Sequence, residues 1–291
     1  MKALGKNYNQ LTDEDKESIV SLFMEGKQYS EIIEIVGTTR RAVPKVIREA
    51  GIQARRKNRY TLNEQYFDNI DTPEQSYWLG MVASDGCITE TNYFAISLVD
   101  KDVLDKLKAD LEYTGEVYQT THVDDGYNRQ PTYRINFSSK PLCDALRRIG
   151  IKECKSLSFN EIPSAIPKEF LRDFIRGYFD GDGSIFTGKV SSTVKGKYYE
   201  YITWQAGIIA TPQLCRHIHN VFLDEFDYDC PLHTSKTDGM NYVMVYDNKV
   251  LTKLYSYMYD NASRYMQRKH DKWQDCLSAI AEQSTLKKKV N

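Results

Sequence analysis

FIRGYFDGDGSI, residues 174–185, and YWLGMVASDGCI, residues 77–88, are the two stretches on which the fold of this chain turns. Aligned, they set Gly80 over Gly177 and Asp85 over Asp182, each pair 97 residues apart. In both, an apolar run with helical spacing stops at Asp-Gly, a pair common where a helix passes into a turn. Pro73 and Pro167 open the two segments with acids close behind, which suits a helix first turn. Small residues recur four apart, Gly80 with Ser84 and Gly177 with Gly181. Residues at that spacing share a face, and small ones let two backbones approach closely. The two helices are therefore expected to pack together about a pseudo-two-fold axis, with Asp85 and Asp182 projecting from neighbouring C-termini.

Strand-like stretches follow each helix: FAISLV, EVYQTTHV and TYRINF after the first, YEYITWQAGIIA, PLHTSK and NYVMVYD after the second. Asp125-Gly126 and Asp238-Gly239 are the hairpin turn signals between them. Each copy closes in helical text, KPLCDALRRIGI and NKVLTKLYSYMYD. The fold expected is α+β, with two pseudo-symmetric αββαββα-type repeats over residues 67–160 and 161–291, the second carrying a C-terminal helix.

Residues 1–54 read as a small all-α domain. Thr12 is placed to cap a helix over DEDKESIVSLFMEG, with Ile19, Leu22 and Phe23 on one face and Gly26 as its stop. Ser30 is expected to cap SEIIEIVG, whose Ile32, Ile33 and Val36 turn inward and whose Gly37 ends it. TTRRAVPKVIREAGI then presents Arg40, Arg41, Lys45 and Arg48. A short helix, a glycine turn and a basic helix make the helix-turn-helix pattern, whose last helix enters the major groove. The plainer alternative is a three-helix bundle with a solvated basic face. Pro44 requires the basic helix to start late or to bend. Arg55, Arg56, Lys57 and Arg59 lie in a stretch free of acids between Glu49 and Glu64. Residues 55–66 accordingly read as a basic linker suited to phosphates.

At 291 residues, with 41% hydrophobic and 27% charged side chains, the chain has the length and composition of a globular protein of two or three modules. No apolar run is long enough to cross a bilayer, and MKALGKNYNQ has no signal-peptide core, so a cytoplasmic or nucleoid-associated protein is expected. The six cysteines are scattered without zinc-ligand spacing and read as free thiols. Because the net charge is −1, a nucleic-acid surface has to come from uneven placement of charge.

Two carboxylates at the negative ends of two helix dipoles repel each other, and a divalent cation between them removes that cost. Hard oxygen donors suit Mg2+ or a similar ion such as Mn2+, which keeps waters and takes substrate phosphates as further ligands. Such a site suits phosphodiester hydrolysis, and a pseudo-two-fold pair of sites suits the two strands of a duplex. One Asp-Gly alone is better read as a turn; the repetition in register reverses that reading.

Trp78–Gly86 and Ile175–Gly183 resemble the nine-residue helix motif of the LAGLIDADG homing endonucleases, and the likeness extends over roughly residues 61–275, including Lys155-Ser156 and RYMQRKHDKW. The second copy is close to the form in bacterial and phage members. The first departs at its sixth position, where Ala83 replaces the usual acid. The resemblance implies that the eighth positions, Asp85 and Asp182, are catalytic, metal-binding acids. It implies a saddle of antiparallel sheets reading double-stranded DNA in the major groove. It also implies a monomeric, site-specific nuclease cutting both strands, associated with intron or intein mobility. The family's basic or polar residue near the metals would be Arg134, with Val243 as its counterpart in the second copy. Lys155 and Lys269 follow the closing helices at comparable places and read as phosphate contacts or surface charges. A maturase-like helper or transcriptional regulator that kept the scaffold and lost cleavage is the alternative.

Overall fold

Capping decides where the first helices begin. In the computed structural model, which describes residues 5–52, 60–120, 130–155, 158–194, 196–236 and 239–290, the chain divides into two units, Met1–Arg59 and Tyr60–Asn291. In the first, α1 (Asp13–Met24) starts at Thr12, whose hydroxyl accepts the Asp15 N–H at 3.1 Å while the Asp15 carboxylate accepts the Thr12 N–H at 3.0 Å. Helix α2 (Tyr29–Val36) starts at Gln28 rather than at Ser30, because Glu31 reaches back to accept the Gln28 N–H at 2.7 Å. Gly37, left-handed at φ 67°, ends it. Helix α3 (Ala42–Glu49) holds Pro44 in its first turn, where a missing N–H costs no helical bond. The helix thus starts late, and Arg40 and Arg41 fall in the turn ahead of it. Ile19, Ile32, Val43, Val46 and Ile47 form the common core. An unanticipated contact ties the segment before α1 to the α2–α3 turn: Lys6 bridges to Thr38 in parallel.

Only part of the expected linker lies outside the second unit. Arg55, Arg56, Lys57 and Arg59 are not among the described residues. From Tyr60 onward the chain is pinned, with the Thr61 N–H donating to Thr114 Oγ1 at 2.7 Å and Phe67 fully buried.

In the second unit, the first repeat runs α4 (Pro73–Asp85), β1 (Gly86–Ile88), β2 (Tyr93–Leu98), α5 (Lys101–Asp110), β3 (Tyr118–Thr120), β4 (Thr132–Ser138) and α6 (Lys140–Ile149). The second runs α7 (Leu171–Asp182), β5 (Gly183–Val194), β6 (Lys197–Ala210), α8 (Pro212–Phe226), β7 (Leu232–Thr234), β8 (Asn241–Val245) and α9 (Asn248–Tyr259), followed by α10 (Gln267–Val290). Both sheets are antiparallel and share one order, β1-β2-β4-β3 and β5-β6-β8-β7. This is the αββαββα repeat expected from sequence. Strands β1 and β5, which begin at the glycine of each Asp-Gly, were not anticipated as strands. Pro73 occupies the first turn of α4 as expected. Pro167 instead precedes a 3-10 turn, Lys168–Phe170, that leads into α7.

Each sheet turns one face to the core: Phe94, Ile96, Ile135 and Phe137 in the first, Ala206, Ile208, Val243 and Val245 in the second. Helix α4 is buried along Ser76–Ala83 on all sides, as a central helix must be. No helix among the described residues is long and apolar enough to cross a membrane.

Candidate active site at the paired helix ends

Helices α4 and α7 touch backbone to backbone. A Cβ on Gly80 would stand 2.1 Å from the Phe174 carbonyl oxygen and 2.7 Å from the Tyr178 nitrogen. One on Gly177 would stand 2.0 Å from the Tyr77 oxygen and 3.0 Å from the Met81 nitrogen. Tyr77 and Phe174, like Met81 and Tyr178, are 97 residues apart, so the two contacts are two-fold mates. Further along, a Cβ on Gly181 would lie 1.9 Å from Ser84 Oγ and 2.7 Å from Asp85 Oδ2. The Asp85 carboxylate therefore crosses to the opposing helix and rests one residue short of Asp182.

Burial raises the pKa of both acids. Asp85 is pushed up to about 6, first by loss of solvent and then by the charge of Asp182. Asp182 is raised by burial, against the pull of Lys155, Lys269 and the Tyr178 hydroxyl.

Lys155 and Lys269 are not surface cations: each is 7% exposed. The Lys155 amine donates to the Ser84 carbonyl at 2.7 Å. The Lys269 amine donates to the carbonyls of Phe179 (2.7 Å), Gly181 (2.9 Å) and Gly183 (2.6 Å). Ser84 and Gly181 are again two-fold mates, so each lysine satisfies carbonyls that the end of α4 or α7 would otherwise leave open. Burial pushes Lys269 down to about 8, against the opposing charge of Asp180. Lys155 is lowered for the same first reason, against the charges of Asp182 and Asp85.

The two halves differ at the sixth motif position. Asp180, fully buried, accepts from the hydroxyls of Tyr259 (2.7 Å) and Tyr77 (3.0 Å) and from the Met266 N–H (2.7 Å). It fixes the chain just before α10 and so positions Lys269. Ala83, its mate, has no such group to offer.

Arg134 lies on the outward face of the first sheet, opposite Ser97 on β2 and Tyr118 on β3. Val243 is not its counterpart. Gly86 pairs with Ile96 and Ile96 with Ile135, as Gly183 pairs with Ile208 and Ile208 with Val243. Val243 is thus the core-facing mate of Ile135, and Tyr242 takes the place of Arg134. A one-residue slip in register moved the expected residue to the wrong face.

In the first unit, Arg40, Arg41, Lys45 and Arg48 are all exposed. The first three line a groove of about 660 Å³ with Asn7, Tyr8 and Asn9. The Lys45 ammonium sits 3.6 Å from the Tyr8 ring centroid, a cation–π contact that sequence did not suggest.

Among the described residues, no cluster of three or more His, Cys, Asp or Glu is placed to hold a metal. The donors at the helix ends are two carboxylates, close and costly to ionise together. Their hard oxygens fit a small divalent ion that retains waters, rather than a closed all-protein cage.

No family model matches the chain. Among curated proteins, it is 33% identical over 110 residues to DNA-directed RNA polymerase subunit Rpo1C of Methanocaldococcus jannaschii, covering 38% of this chain and 12% of that one. An uncharacterized protein of the same archaeon is 29% identical over 133 residues, covering 44% of this chain and 45% of the other. The chain spans less than half the length of these relatives. Among solved structures, the I-LtrWI LAGLIDADG homing endonuclease bound to target DNA aligns with a TM-score of 0.52 at 12% identity, over 77% of this chain and 92% of that one. The LAGLIDADG meganuclease I-CpaMI bound to uncleaved DNA aligns at 0.51 and 11% identity, over 76% and 95%. The chain has the fold of the LAGLIDADG endonucleases.

Proposed function

We propose that this chain is a site-specific endonuclease that hydrolyses both strands of double-stranded DNA, with Asp85 and Asp182 holding Mg2+ or a similar divalent ion. The observation that carries this reading is the Asp85 carboxylate lying over Gly181 beside Asp182, flanked by two buried lysines in two-fold positions. When bound, the ion would polarise the scissile phosphate and lower the pKa of a bound water. The carboxylates supply its anionic oxygens. Lys155 and Lys269 favour the ionised carboxylates and place two positive charges near the point where negative charge grows in the transition state. One chain supplies both halves, so no second copy is required.

The outward faces of the two sheets, with Arg134 and Tyr242 at equivalent positions, are the surfaces offered to the duplex. The first unit adds a helix-turn-helix contact through Arg40, Arg41, Lys45 and Arg48, continued by Arg55, Arg56, Lys57 and Arg59.

The test starts from duplexes that the full chain selects from a random pool in Ca2+, then challenged with Mg2+. Wild-type protein is expected to cut them, while Asp85→Asn and Asp182→Asn bind and leave them intact. Tight binding with no cut by wild-type protein in Mg2+ or Mn2+ would overturn the enzymatic reading in favour of a binding protein.

A further inference from the structure

Between α9 and α10 the chain of the second repeat crosses to the first. Arg264 makes the main contact: its Nε–H donates to Asp110 Oδ2 at 2.7 Å and its Nη2–H to Asp110 Oδ1 at 2.8 Å. Asp110 ends α5 and also accepts the indole N–H of Trp78, on α4, at 2.6 Å. On either side, the Ser263 hydroxyl donates to the Glu74 carboxylate on α4, and Arg268 pairs with Asp100, just ahead of α5, at 3.0 Å. The Arg264 carbonyl serves the other repeat, accepting the Nε–H of Arg176, a buried residue of α7, at 2.8 Å.

One residue is thus tied to both motif helices. A bidentate arginine–carboxylate pair fixes distance and angle together, which a single point charge does not. The two side chains are only 27% and 14% exposed, so salt screens the pair weakly. Desolvating two charges offsets much of their attraction, and stability alone is a weak reason to place an ion pair there. Position is a better one. Helix α10 begins at Gln267, three residues after Arg264, and five residues on Lys269 reaches the Gly181 and Gly183 carbonyls at the end of α7. Where Arg264 is held therefore sets where α10 starts.

Resting on the reading of the chain as a nuclease, we propose that Arg264 and Asp110 are positioning residues for cleavage: the first repeat, through Asp110, sets the place of the Lys269 ammonium in the second. Asp180 holds the Met266 N–H from α7, and Asp110 holds Arg264 from α5 and α4, so the start of α10 has an anchor in each repeat. A site whose two acids come from different repeats needs such a tie. A shift of either helix end relative to Lys269 separates the ammonium from the carboxylates, and a misplacement of about 1 Å can cost about 10²-fold in rate. Both residues act at a distance, through the backbone of α10.

The experiment compares full-length wild type, Arg264→Met, Arg264→Lys, Asp110→Asn and Asp110→Asn/Arg264→Met on a duplex that the wild type selects from a random pool, each strand carrying its own label. Single-turnover rates at saturating protein in Mg2+, below the melting temperature of every variant, are read strand by strand, and DNA affinity is measured in Ca2+. Arg264→Met and Asp110→Asn are expected to slow one strand by about 10- to 100-fold, the strand that Lys269→Met also slows, so that nicked duplex accumulates while affinity is unchanged. The double variant is expected to be no slower than Arg264→Met, because two residues acting as one pair are not additive. Arg264→Lys keeps the charge without the fork; it is expected to cut that strand at an intermediate rate, and it carries the test should Met prevent folding. Equal slowing of both strands, a loss confined to affinity, or wild-type rates on both strands would overturn the positioning role while leaving the nuclease reading standing. Wild-type protein that cuts no duplex would overturn both.

Discussion

Asp85 reaches across the helix pair to Gly181: a Cβ there would stand 2.7 Å from Asp85 Oδ2 and 1.9 Å from Ser84 Oγ. The absence of a side chain at 181 is thus what allows the two carboxylates to converge. Gly181→Ala is expected to force the helix ends apart, costing about 1–3 kcal/mol as overpacking does, and to abolish cleavage by displacing Asp85. Thermal denaturation and cutting assays on the same preparation separate the two effects. An alanine variant that cuts at the wild-type rate would show that the close approach is not needed for activity.

The raised pKa of Asp85 has a defined sign. Its folded value, about 6, exceeds the ordinary aspartate value of 3.8. In metal-free protein its contribution to stability is therefore full below about pH 4 and is lost as pH rises through about 6. Asp85→Asn is accordingly expected to stabilise the metal-free protein at pH 7.5, by less than the shift alone implies because the residue keeps contact with solvent. That advantage fades as pH falls from 6 to 4. Divalent-ion affinity runs the other way, weakening below pH 6 as the carboxylate takes up its proton. Melting curves with chelator and ion titration by calorimetry, each over that range, give the two trends.

The lysines are equivalent in place and unequal in bonding. Lys155 satisfies one carbonyl and Lys269 three. Replacing either with Met is expected to slow cleavage by about 10²-fold or more, the scale of a fixed charge beside the reacting group. Only Lys269→Met is expected to destabilise the fold strongly, by about 2–4 kcal/mol, because three buried acceptors lose their donor. Equal melting temperatures for the two variants would contradict this.

Deleting residues 1–59 removes one of the two units whole. DNA affinity is expected to fall and its salt dependence to flatten, with the cleavage rate at saturating protein unchanged. Gel-shift titrations at two salt concentrations and single-turnover cutting measure each part.

The helix pair and the repeat are legible because both leave periodic marks: small residues four apart, Asp-Gly endings, and a constant 97-residue offset. What escaped had no local mark. Lys155 and Lys269 look like surface cations, since nothing in KECKS or QRKHD shows that a helix end folded from distant residues offers them carbonyls. Val243 rather than Tyr242 falls opposite Arg134 by counting because counting along a chain cannot fix strand register to one residue, and one residue reverses the face. Residues 183–194 carry no strand signal in sequence because FTGKVSSTV lacks strict apolar alternation, which a ribbon outside the core does not need. At Ser30 a neighbouring side chain, Glu31 reaching back to Gln28, moved the helix start.

Asp180 bears on both the fold and the site. As the mate of Ala83 it is a second acid two residues from Asp182, yet Tyr77, Tyr259 and the Met266 N–H all donate to it. A fully buried carboxylate with three donors is committed to structure, and burial raises its pKa against those bonds. Asp180→Ala leaves two tyrosine hydroxyls and a backbone N–H without an acceptor. It is expected to cost about 3 kcal/mol or more. It also frees the start of α10, so Lys269 is expected to lose its hold on Gly181 and Gly183. Cleavage would then fall even at temperatures where the fold survives, whereas Asp180→Asn, which keeps an acceptor oxygen, would recover part of both losses. A divalent-ion affinity unchanged in both variants, measured below their melting temperatures, would confirm that Asp180 acts through α10 and not as a ligand; a loss of ion affinity matching that of Asp182→Asn would show the opposite.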